Sequence, residues 1–362
     1  GPPVERTHYI LRLPGGKTLH LGERTLVMGV INVTPDSFAD GGAYLNPGLA
    51  VEAALAFEAD GADLIEVDYE ELPAVFDPLE AMEDGAPIIH ENLENYPVVP
   101  GFKPVRFGNV ASQSLFSVGN VEKGLKEADL VFENEYSTNT NHQSYMEPHA
   151  AIAQIDPKGR VTVWTSTQTV IEVRRGLGET LQIPASKIRV GAPYVGGGFG
   201  GKLDVRVEPH AILLSQMTGR PVKIVLTREE ELNSGHPRLP FILKYRTGMM
   251  KDGRIHARNI KIIADSGAYC HQGMGVMAAS SNHARGPYNV PNAAVDGRLV
   301  YTNKLPFGGY RGYGNPQVSF AGESQLEDIA KELGIDPIEI RLKNAIALGD
   351  RYMTGQPVTH TA

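Results

Sequence analysis

The sequence predicts an α+β fold built around mixed sheets, because two kinds of apolar pattern recur along the chain. Apolar residues alternate with a period of two, as in half-buried strands, and elsewhere form stripes with helical spacing. The alternation around Lys251-Asp252-Gly253 also predicts an antiparallel strand pair. The predicted strands are 129–136, 160–164, 221–226, 244–249 and 255–265. The predicted helices are 207–218, 323–333 and a third, which begins at Asp336-Pro337 and runs to about 348.

The first 66 residues have a different organisation. Residues 8–13 and 18–21 alternate around Pro14-Gly15-Gly16-Lys17 and predict a hairpin. An apolar run at 26–33, a polar loop, and an alanine-rich stretch at 47–60 then predict one strand–loop–helix unit. In open sheets and barrels of this kind a binding site lies after the strand. The segment therefore predicts an isolated βα unit like the start of a TIM barrel.

The run Met28-Gly-Val-Ile-Asn-Val-Thr-Pro-Asp-Ser-Phe38 resembles the opening signature of dihydropteroate synthases. The resemblance implies that Asn32 lies at the pyrophosphate end of a pterin substrate, under a loop that contains Thr34 and Asp36. Where that family continues with Asp-x-Gly-Gly-Glu-Ser-Thr-Arg-Pro, this chain has Glu66-Val-Asp-Tyr-Glu-Glu-Leu-Pro73. One βα unit cannot close an eight-stranded barrel, so we expect a junction of two unrelated proteins near 65–67.

Composition narrows the class of protein. The net charge is −8 over 362 residues, so no basic surface for nucleic acid or anionic membranes is expected. The single cysteine, Cys270, excludes an internal disulfide framework and an iron–sulfur site of Cys-x-x-Cys type. No apolar run is long enough to span a bilayer, and the N-terminus has no signal-like apolar core. We expect a cytoplasmic protein without nucleic-acid or membrane partners.

A glycine-rich loop, Gly196-Gly-Gly-Phe-Gly-Gly-Lys202, follows an apolar strand and organises the second part of the chain. Glycine lets a ligand approach backbone N–H groups, which can form a nest for anions. The loop has dinucleotide spacing but no acid about 20 residues later. It also has P-loop spacing, but Leu203 stands where a Mg²⁺-binding Ser or Thr is needed. A tight turn without a ligand remains an alternative.

Three further motifs accompany this loop, two before it in the sequence and one after it. They are Tyr145-Met-Glu-Pro-His149, Val163-Trp-Thr-Ser-Thr-Gln168 and Tyr310-Arg-Gly-Tyr-Gly-Asn-Pro-Gln317. Together with the loop, they resemble the molybdenum hydroxylases, the family of xanthine dehydrogenase and aldehyde oxidase, from about residue 67 onwards. The resemblance implies a mixed-sheet molybdenum-cofactor-binding domain whose cofactor is molybdopterin or its cytosine dinucleotide.

The resemblance also implies the roles of individual residues. Gln168 would hydrogen-bond an oxygen ligand of the metal, and Arg311 would face the substrate, so both are catalytic candidates. No side chain would ligate the metal, which the pterin holds through its sulfurs. We expect Gln168, Gly198 and Arg311 to lie around one hollow. The cofactor-binding candidates are Gln168, Gly197, Gly198, Phe199, Gly200 and Arg311, and the substrate-binding candidates are Arg311, Tyr310 and Tyr313.

Domain organisation follows from the same resemblance. We expect a synthase-like fragment at 1–66, the end of a small domain and a proline-rich linker at 67–105, a first molybdopterin-binding domain at 106–348, and the start of a second at 349–362. The family's catalytic glutamate falls beyond Ala362, so the chain is expected to be incomplete as an enzyme.

The expected reaction is hydroxylation of an aldehyde or a (hetero)aromatic substrate with water-derived oxygen. Iron–sulfur and flavin subunits would accept the electrons. The alternatives are dihydropteroate synthase activity of the N-terminal segment and an inactive fusion fragment.

Other reactive side chains in the sequence are expected to be structural. His142 and His149 lack a third ligand at usable spacing, which favours structural histidines over metal ligands. Glu147 precedes a proline and is expected beneath the site. Cys270 has no neighbouring residue that would activate it, which favours an inert thiol.

Overall fold

The computed structural model describes residues 9–12, 18–21, 72–96 and 104–360, and it confirms the α+β class. The strands are β1 (Tyr9–Arg12), β2 (Thr18–Leu21), β3 (Val105–Phe107), β4 (Val110–Val118), β5 (Leu130–Thr138), β6 (Ala150–Ile155), β7 (Val161–Thr165), β8 (Ile188–Gly191), β9 (Val222–Val225), β10 (Phe241–Met249), β11 (Ile255–Gly267) and β12 (Asn292–Tyr301). The helices are α1 (Val121–Glu127), α2 (Val170–Thr180), α3 (Glu208–Thr218), α4 (Arg228–Ser234), α5 (Gly273–His283), α6 (Asn315–Leu333) and α7 (Pro337–Asn344).

The chain divides into two compact units. One comprises residues 1–71, 144–198 and 202–233, and the other comprises residues 72–143, 199–201 and 234–362. Within the first, β1 and β2 pair antiparallel, which confirms the predicted hairpin. The strand predicted at 26–33, the helix predicted at 47–60, and Asn32, Thr34 and Asp36 lie outside the described residues.

The larger unit, 72–143 with 199–201 and 234–362, contains a six-stranded mixed sheet in the order β3-β4-β12-β11-β10-β5. Strands β11 and β12 run parallel, and the other neighbours run antiparallel. The predicted β10–β11 pair is confirmed. Alternation along β10 buries Leu243 and Tyr245, so the sheet has one face towards the core of this unit.

Helix α6 supplies much of the same core. Val318, Ala321 and Ile329 recur at helical spacing and are all buried. Gly334 ends the helix in a left-handed conformation, with φ +66°, and its N–H donates back to the last turn. Asp336 then caps α7 by accepting hydrogen bonds from the N–H groups of Ile338 and Glu339, as its sequence predicts.

The smaller unit contains a four-stranded sheet in the order β8-β7-β6-β9, with β7 and β8 parallel. Helices α2 and α3 bury one face of this sheet. Ala153 and Val163 of the sheet share a core with Leu177 of α2 and Ile212 of α3. The end of β7 therefore has a rigid support, and this is the point from which Gln168 projects.

The structure differs from the sequence prediction at several elements. The segment after Cys270, where the sequence predicts no helix, forms helix α5. Helix α6 begins at Asn315 rather than 323, and α7 ends at Asn344 rather than near 348. Part of the predicted proline-rich linker is packed: Leu93 is buried in the core of the larger unit. None of the helices in the described part of the chain combines the length and apolarity needed to cross a membrane.

Candidate functional site

The glycine-rich loop has an unusual backbone. Gly197, Phe199 and Gly200 all have left-handed φ values, of 95°, 51° and 97°, whereas Gly198 does not. A non-glycine residue there costs about 1–2 kcal/mol, so Phe199 is held under strain. The sign of φ changes from Gly197 to Gly198 and again from Gly198 to Phe199, a local pattern in which successive N–H groups can form an anion-binding nest. Within the described residues, the backbone hydrogen bonds include none donated by Gly197, Gly198 or Phe199.

Gln168 lies directly against this loop in the smaller unit. It is exposed and follows the end of β7, in the short connection to α2. A Cβ atom on Gly198 would lie 2.4 Å from Gln168 Oε1, so only glycine leaves room for the amide. The Gln168 N–H donates to the Lys202 carbonyl oxygen at 2.9 Å, and the Lys202 N–H lies 3.3 Å from Gln168 Oε1. The predicted proximity of Gln168 and Gly198 is therefore observed.

Lys202 ends the loop and points inward. Its side chain is fully buried, and its Nζ lies 2.7 Å from Glu147 Oε2. The same carboxylate oxygen accepts a hydrogen bond from Gly196 N at 2.8 Å. Burial alone would raise the pKa of Glu147, but hydrogen bonds from Lys202 and Gly196 outweigh it and hold that pKa below its usual range. The lysine is thus engaged by a protein carboxylate.

A buried polar cluster supports this ion pair within the same unit. The Lys202 ammonium lies 4.8 Å from the centre of the Tyr145 ring. Tyr145 donates its hydroxyl to Glu231, and His149 reaches the same carboxylate through its backbone N–H at 2.6 Å and Nδ1 at 2.8 Å. Despite burial, which would raise it, these hydrogen bonds lower the pKa of Glu231 to about 2. His149 is a structural histidine, as predicted.

In the larger unit, Gly200 meets the turn that carries the predicted arginine. A Cβ on Gly200 would lie 2.7 Å from the Gly309 carbonyl oxygen and 3.0 Å from Tyr310 N. Arg311 follows directly and is exposed. Tyr313 has a left-handed φ of 51° between Gly312 and Gly314, which repeats the arrangement of Phe199 among its glycines.

Both tyrosines of this turn have partners in the larger unit. The Arg238 guanidinium lies 5.2 Å from the centre of the Tyr310 ring. The Tyr313 hydroxyl donates to Gln272 Oε1 at 2.8 Å, just before α5. These contacts fix the turn around Arg311. Each tyrosine therefore has a structural contact as well as the substrate contact expected from the sequence.

Lys202 and Glu231 are not among the functional candidates predicted from the sequence. Lys202 enters that prediction only through the unsatisfied P-loop pattern, although a lysine directly after five glycines in six residues is a usable signal. Glu231 lies in an acidic run, Glu229-Glu230-Glu231, that gives no sign of which member is buried. Among residues 72–96 and 104–360, no group of three or more His, Cys, Asp or Glu side chains could hold a metal ion.

Cys270 fits the sequence expectation of an inert thiol. Burial raises its pKa to about 11, so it carries little thiolate at neutral pH.

Comparison with known proteins gives two family matches. A family model described as molybdopterin cofactor-binding domain matches residues 103–345. A second, described as pterin binding enzyme, matches residues 28–100, of which the structure describes only 72–96. The two matches do not overlap, but the second extends beyond the junction predicted at 65–67 and covers most of the segment predicted as the end of a small domain and linker.

Individual relatives agree with the longer match. The large molybdopterin subunit of nicotinate dehydrogenase from Eubacterium barkeri is 37% identical over 82% of this chain and 66% of its own length. The aldehyde oxidoreductase of Desulfovibrio gigas superposes with a TM-score of 0.71 at 26% identity, over 84% of this chain and 32% of that one. Quinoline 2-oxidoreductase from Pseudomonas putida 86 superposes with a TM-score of 0.72 at 28% identity, over 84% of this chain and 38% of that one. The chain thus spans between a third and two thirds of these relatives.

Proposed function

We propose that this chain, which belongs to the family of molybdopterin cofactor-binding domains, is the part of a molybdenum hydroxylase that holds the molybdenum-pterin cofactor. The cofactor would be molybdopterin or its cytosine dinucleotide. The reaction of the whole enzyme would be hydroxylation of an aldehyde or a (hetero)aromatic compound with oxygen from water. Iron–sulfur and flavin subunits would take up the electrons, in the cytoplasm.

The residues present suit such a group. When bound, the cofactor supplies a redox metal already ligated by its own dithiolene sulfurs. The protein must therefore provide hydrogen-bond donors for the cofactor and a cation for the substrate, rather than metal ligands. The loop offers the N–H groups of Gly197, Gly198 and Phe199, and the exposed amide of Gln168 lies against Gly198.

The proposed roles follow from these positions. Gln168 and the Gly197–Gly200 backbone bind the cofactor through hydrogen bonds. The exposed Arg311 binds the substrate carbonyl, where a permanently charged planar donor stabilises negative charge that develops on oxygen. Tyr310 and Tyr313 hold that turn, and their ring faces suit an aromatic substrate.

The observation that carries this proposal is the close contact between Gly198 and Gln168. Two residues 30 positions apart, each singled out by a separate motif, are packed so that a methyl group on one would overlap the amide of the other.

The proposal is tested by loading the 362-residue chain with the molybdenum-pterin cofactor released from a donor enzyme. After gel filtration, retained pterin is measured by fluorescence and molybdenum by mass spectrometry. We expect saturation near one of each per chain and clear loss in Gln168→Ala. Absence of retention by the wild-type chain, shown to be folded by circular dichroism, would refute the proposal.

The match of residues 28–100 to pterin binding enzymes favours a second candidate. In it, the N-terminal segment condenses a pterin pyrophosphate with aminobenzoate, with Asn32 at the pyrophosphate. The assay is formation of the pterin–aminobenzoate product by the full chain and by Asn32→Ala. Product that disappears in the variant would support this candidate, and absence of product from the wild-type chain would remove it.

A further inference from the structure

The glycine loop is closed by a single carboxylate oxygen. Glu147 Oε2 lies 2.8 Å from Gly196 N at the start of the loop and 2.7 Å from Lys202 Nζ at its end. The two ends of the glycine run are therefore joined through one atom of a residue that lies far away in the sequence. Gly196 itself is packed against this residue, because a Cβ there would lie 2.5 Å from Glu147 Cβ.

Lys202 also connects the loop to Gln168. Its carbonyl oxygen accepts from the Gln168 N–H at 2.9 Å and from Thr167 Oγ1 at 3.1 Å, and its N–H lies 3.3 Å from Gln168 Oε1. The backbone of Lys202 thus orients the amide of Gln168, while its side chain holds the carboxylate that anchors Gly196.

The ion pair is costly to bury. Lys202 is fully buried, and Glu147 keeps a third of its side chain exposed. Taking such a pair out of water offsets most of its Coulomb attraction, so an apolar pair of similar volume would stabilise the fold equally well. A buried pair that also makes a directional contact to Gly196 N fixes geometry, which an apolar pair cannot do.

We propose that Glu147 and Lys202 are positioning residues, whose ion pair, closed onto Gly196, holds the loop amides and the Gln168 amide in the arrangement that receives the cofactor. The inference rests on the proposed function for the identity of the ligand. The clamp itself, defined as Glu147, Lys202 and Gly196, is a property of the chain without ligand and is tested in that state.

The test compares Glu147→Asp with Glu147→Gln in the full 362-residue chain without cofactor. The aspartate keeps the charge but is one methylene shorter, so it cannot reach both donors. The glutamine keeps the reach, and its Oε1 can accept from both. Glu179→Asp, an exposed acid on α2, is the matched control.

Hydrogen exchange read by mass spectrometry gives the primary result. Glu147→Asp is expected to raise exchange of the Gly196 amide, which donates to Glu147 Oε2, at least about tenfold, the size of one lost charge-assisted hydrogen bond. A peptide from α2 should remain unchanged in the same sample. Glu147→Gln should show a smaller rise in the loop, and Glu179→Asp should show none.

Two results overturn the inference: loop exchange in Glu147→Asp equal to that of wild type, or an equal rise in α2, which indicates general destabilisation. Pterin retention separates this failure from failure of the proposed function. If the wild-type chain retains no pterin but loop exchange responds as expected, the clamp stands and the cofactor assignment falls. If wild type and Glu147→Asp retain pterin equally with unchanged exchange, the clamp falls alone.

Discussion

Gly198 and Gln168 are packed so closely that a Cβ atom on Gly198 would lie 2.4 Å from the Gln168 side-chain oxygen and 2.6 Å from its amide carbon. Gly198 does not have a left-handed backbone, so alanine is conformationally allowed there. The methyl group can be accommodated only if the amide of Gln168 moves. A substitution at Gly198 can therefore displace the Gln168 amide with little effect on the stability of the fold.

Gly198→Ala is expected to cost only about 1 kcal/mol of unfolding free energy, because a flexible side chain yields to the methyl group. Pterin retention should nevertheless fall about tenfold or more, since the displaced amide loses its hydrogen bond. Urea unfolding and the retention assay measure the two effects. Gly191→Ala, at a glycine without a positive φ where the nearest atom is Trp164 Cδ1 at 3.4 Å, is the control for an added methyl group without the clash. Equal retention by Gly198→Ala and wild type would contradict this role of the contact.

Gly200→Ala should behave differently, because its neighbour is backbone. Gly200 has a φ of 97°, and a Cβ would lie 2.7 Å from the Gly309 carbonyl oxygen. We expect a loss of unfolding free energy about 2 kcal/mol larger than for Gly349→Ala. Gly349 has a φ of 92° with nothing within 4 Å, so it carries the same strain without the clash. Similar urea midpoints for the two variants would show that the Gly309 contact is unimportant.

Glu231 predicts a specific pH dependence of stability. Hydrogen bonds from His149 and Tyr145 outweigh the effect of burial and lower its pKa from 4.5 to about 2. A carboxylate whose pKa is lower in the folded state than in the unfolded state stabilises the fold fully at pH values above its unfolded-state pKa. This stabilisation is lost as the pH falls towards its folded-state pKa. The contribution is on the order of 3 kcal/mol.

We therefore expect the wild-type urea midpoint to fall between pH 5 and pH 2.5 more steeply than that of Glu231→Gln. The exposed neighbour variant, Glu229→Gln, should follow the wild-type curve. Parallel curves for wild type and Glu231→Gln would mean that Glu231 does not carry this part of the acid sensitivity.

Arg311 is expected to matter for reactivity and not for folding. It is exposed, so Arg311→Ala should change the unfolding free energy by no more than about 0.5 kcal/mol. In a complete molybdenum hydroxylase that contains this chain, loaded with cofactor and assembled with its electron-accepting subunits, oxidation of an aromatic aldehyde should slow about 100-fold or more. Arg311→Lys should recover only part of the rate, since lysine lacks the planar fork. Full activity of Arg311→Ala would exclude a substrate contact.

The regular elements could be predicted where local pattern and packing agree. In strands β10 and β11, apolar residues recur with the period of a strand because one face of the pair is buried. Asp336 caps α7 through hydrogen bonds to residues close in sequence, so the cap is readable from the local sequence. Helix α5 was missed because its Gly273-Met-Gly start resembles a loop. Burial of the adjacent Val276 and Met277 in the core, rather than helix propensity, decides that segment.

The candidate site was predictable in part. Separate motifs identified Gln168 and the glycine loop, and their contact confirms that those motifs belong together in the smaller unit. The partner of Lys202 could not be predicted, because Glu147 reaches it only through the folded connection between β5 and β6. Pairing between residues so distant in sequence depends on tertiary structure, which periodicity does not encode.

Equilibrium binding of the molybdenum-pterin cofactor to the full chain and to Gln168→Ala decides whether this chain holds the cofactor through Gln168, with folding of both proteins checked by circular dichroism. We predict saturable binding of one pterin and one molybdenum per wild-type chain, weakened about tenfold or more in Gln168→Ala. No saturable binding, or identical binding by the two folded proteins, would contradict the account.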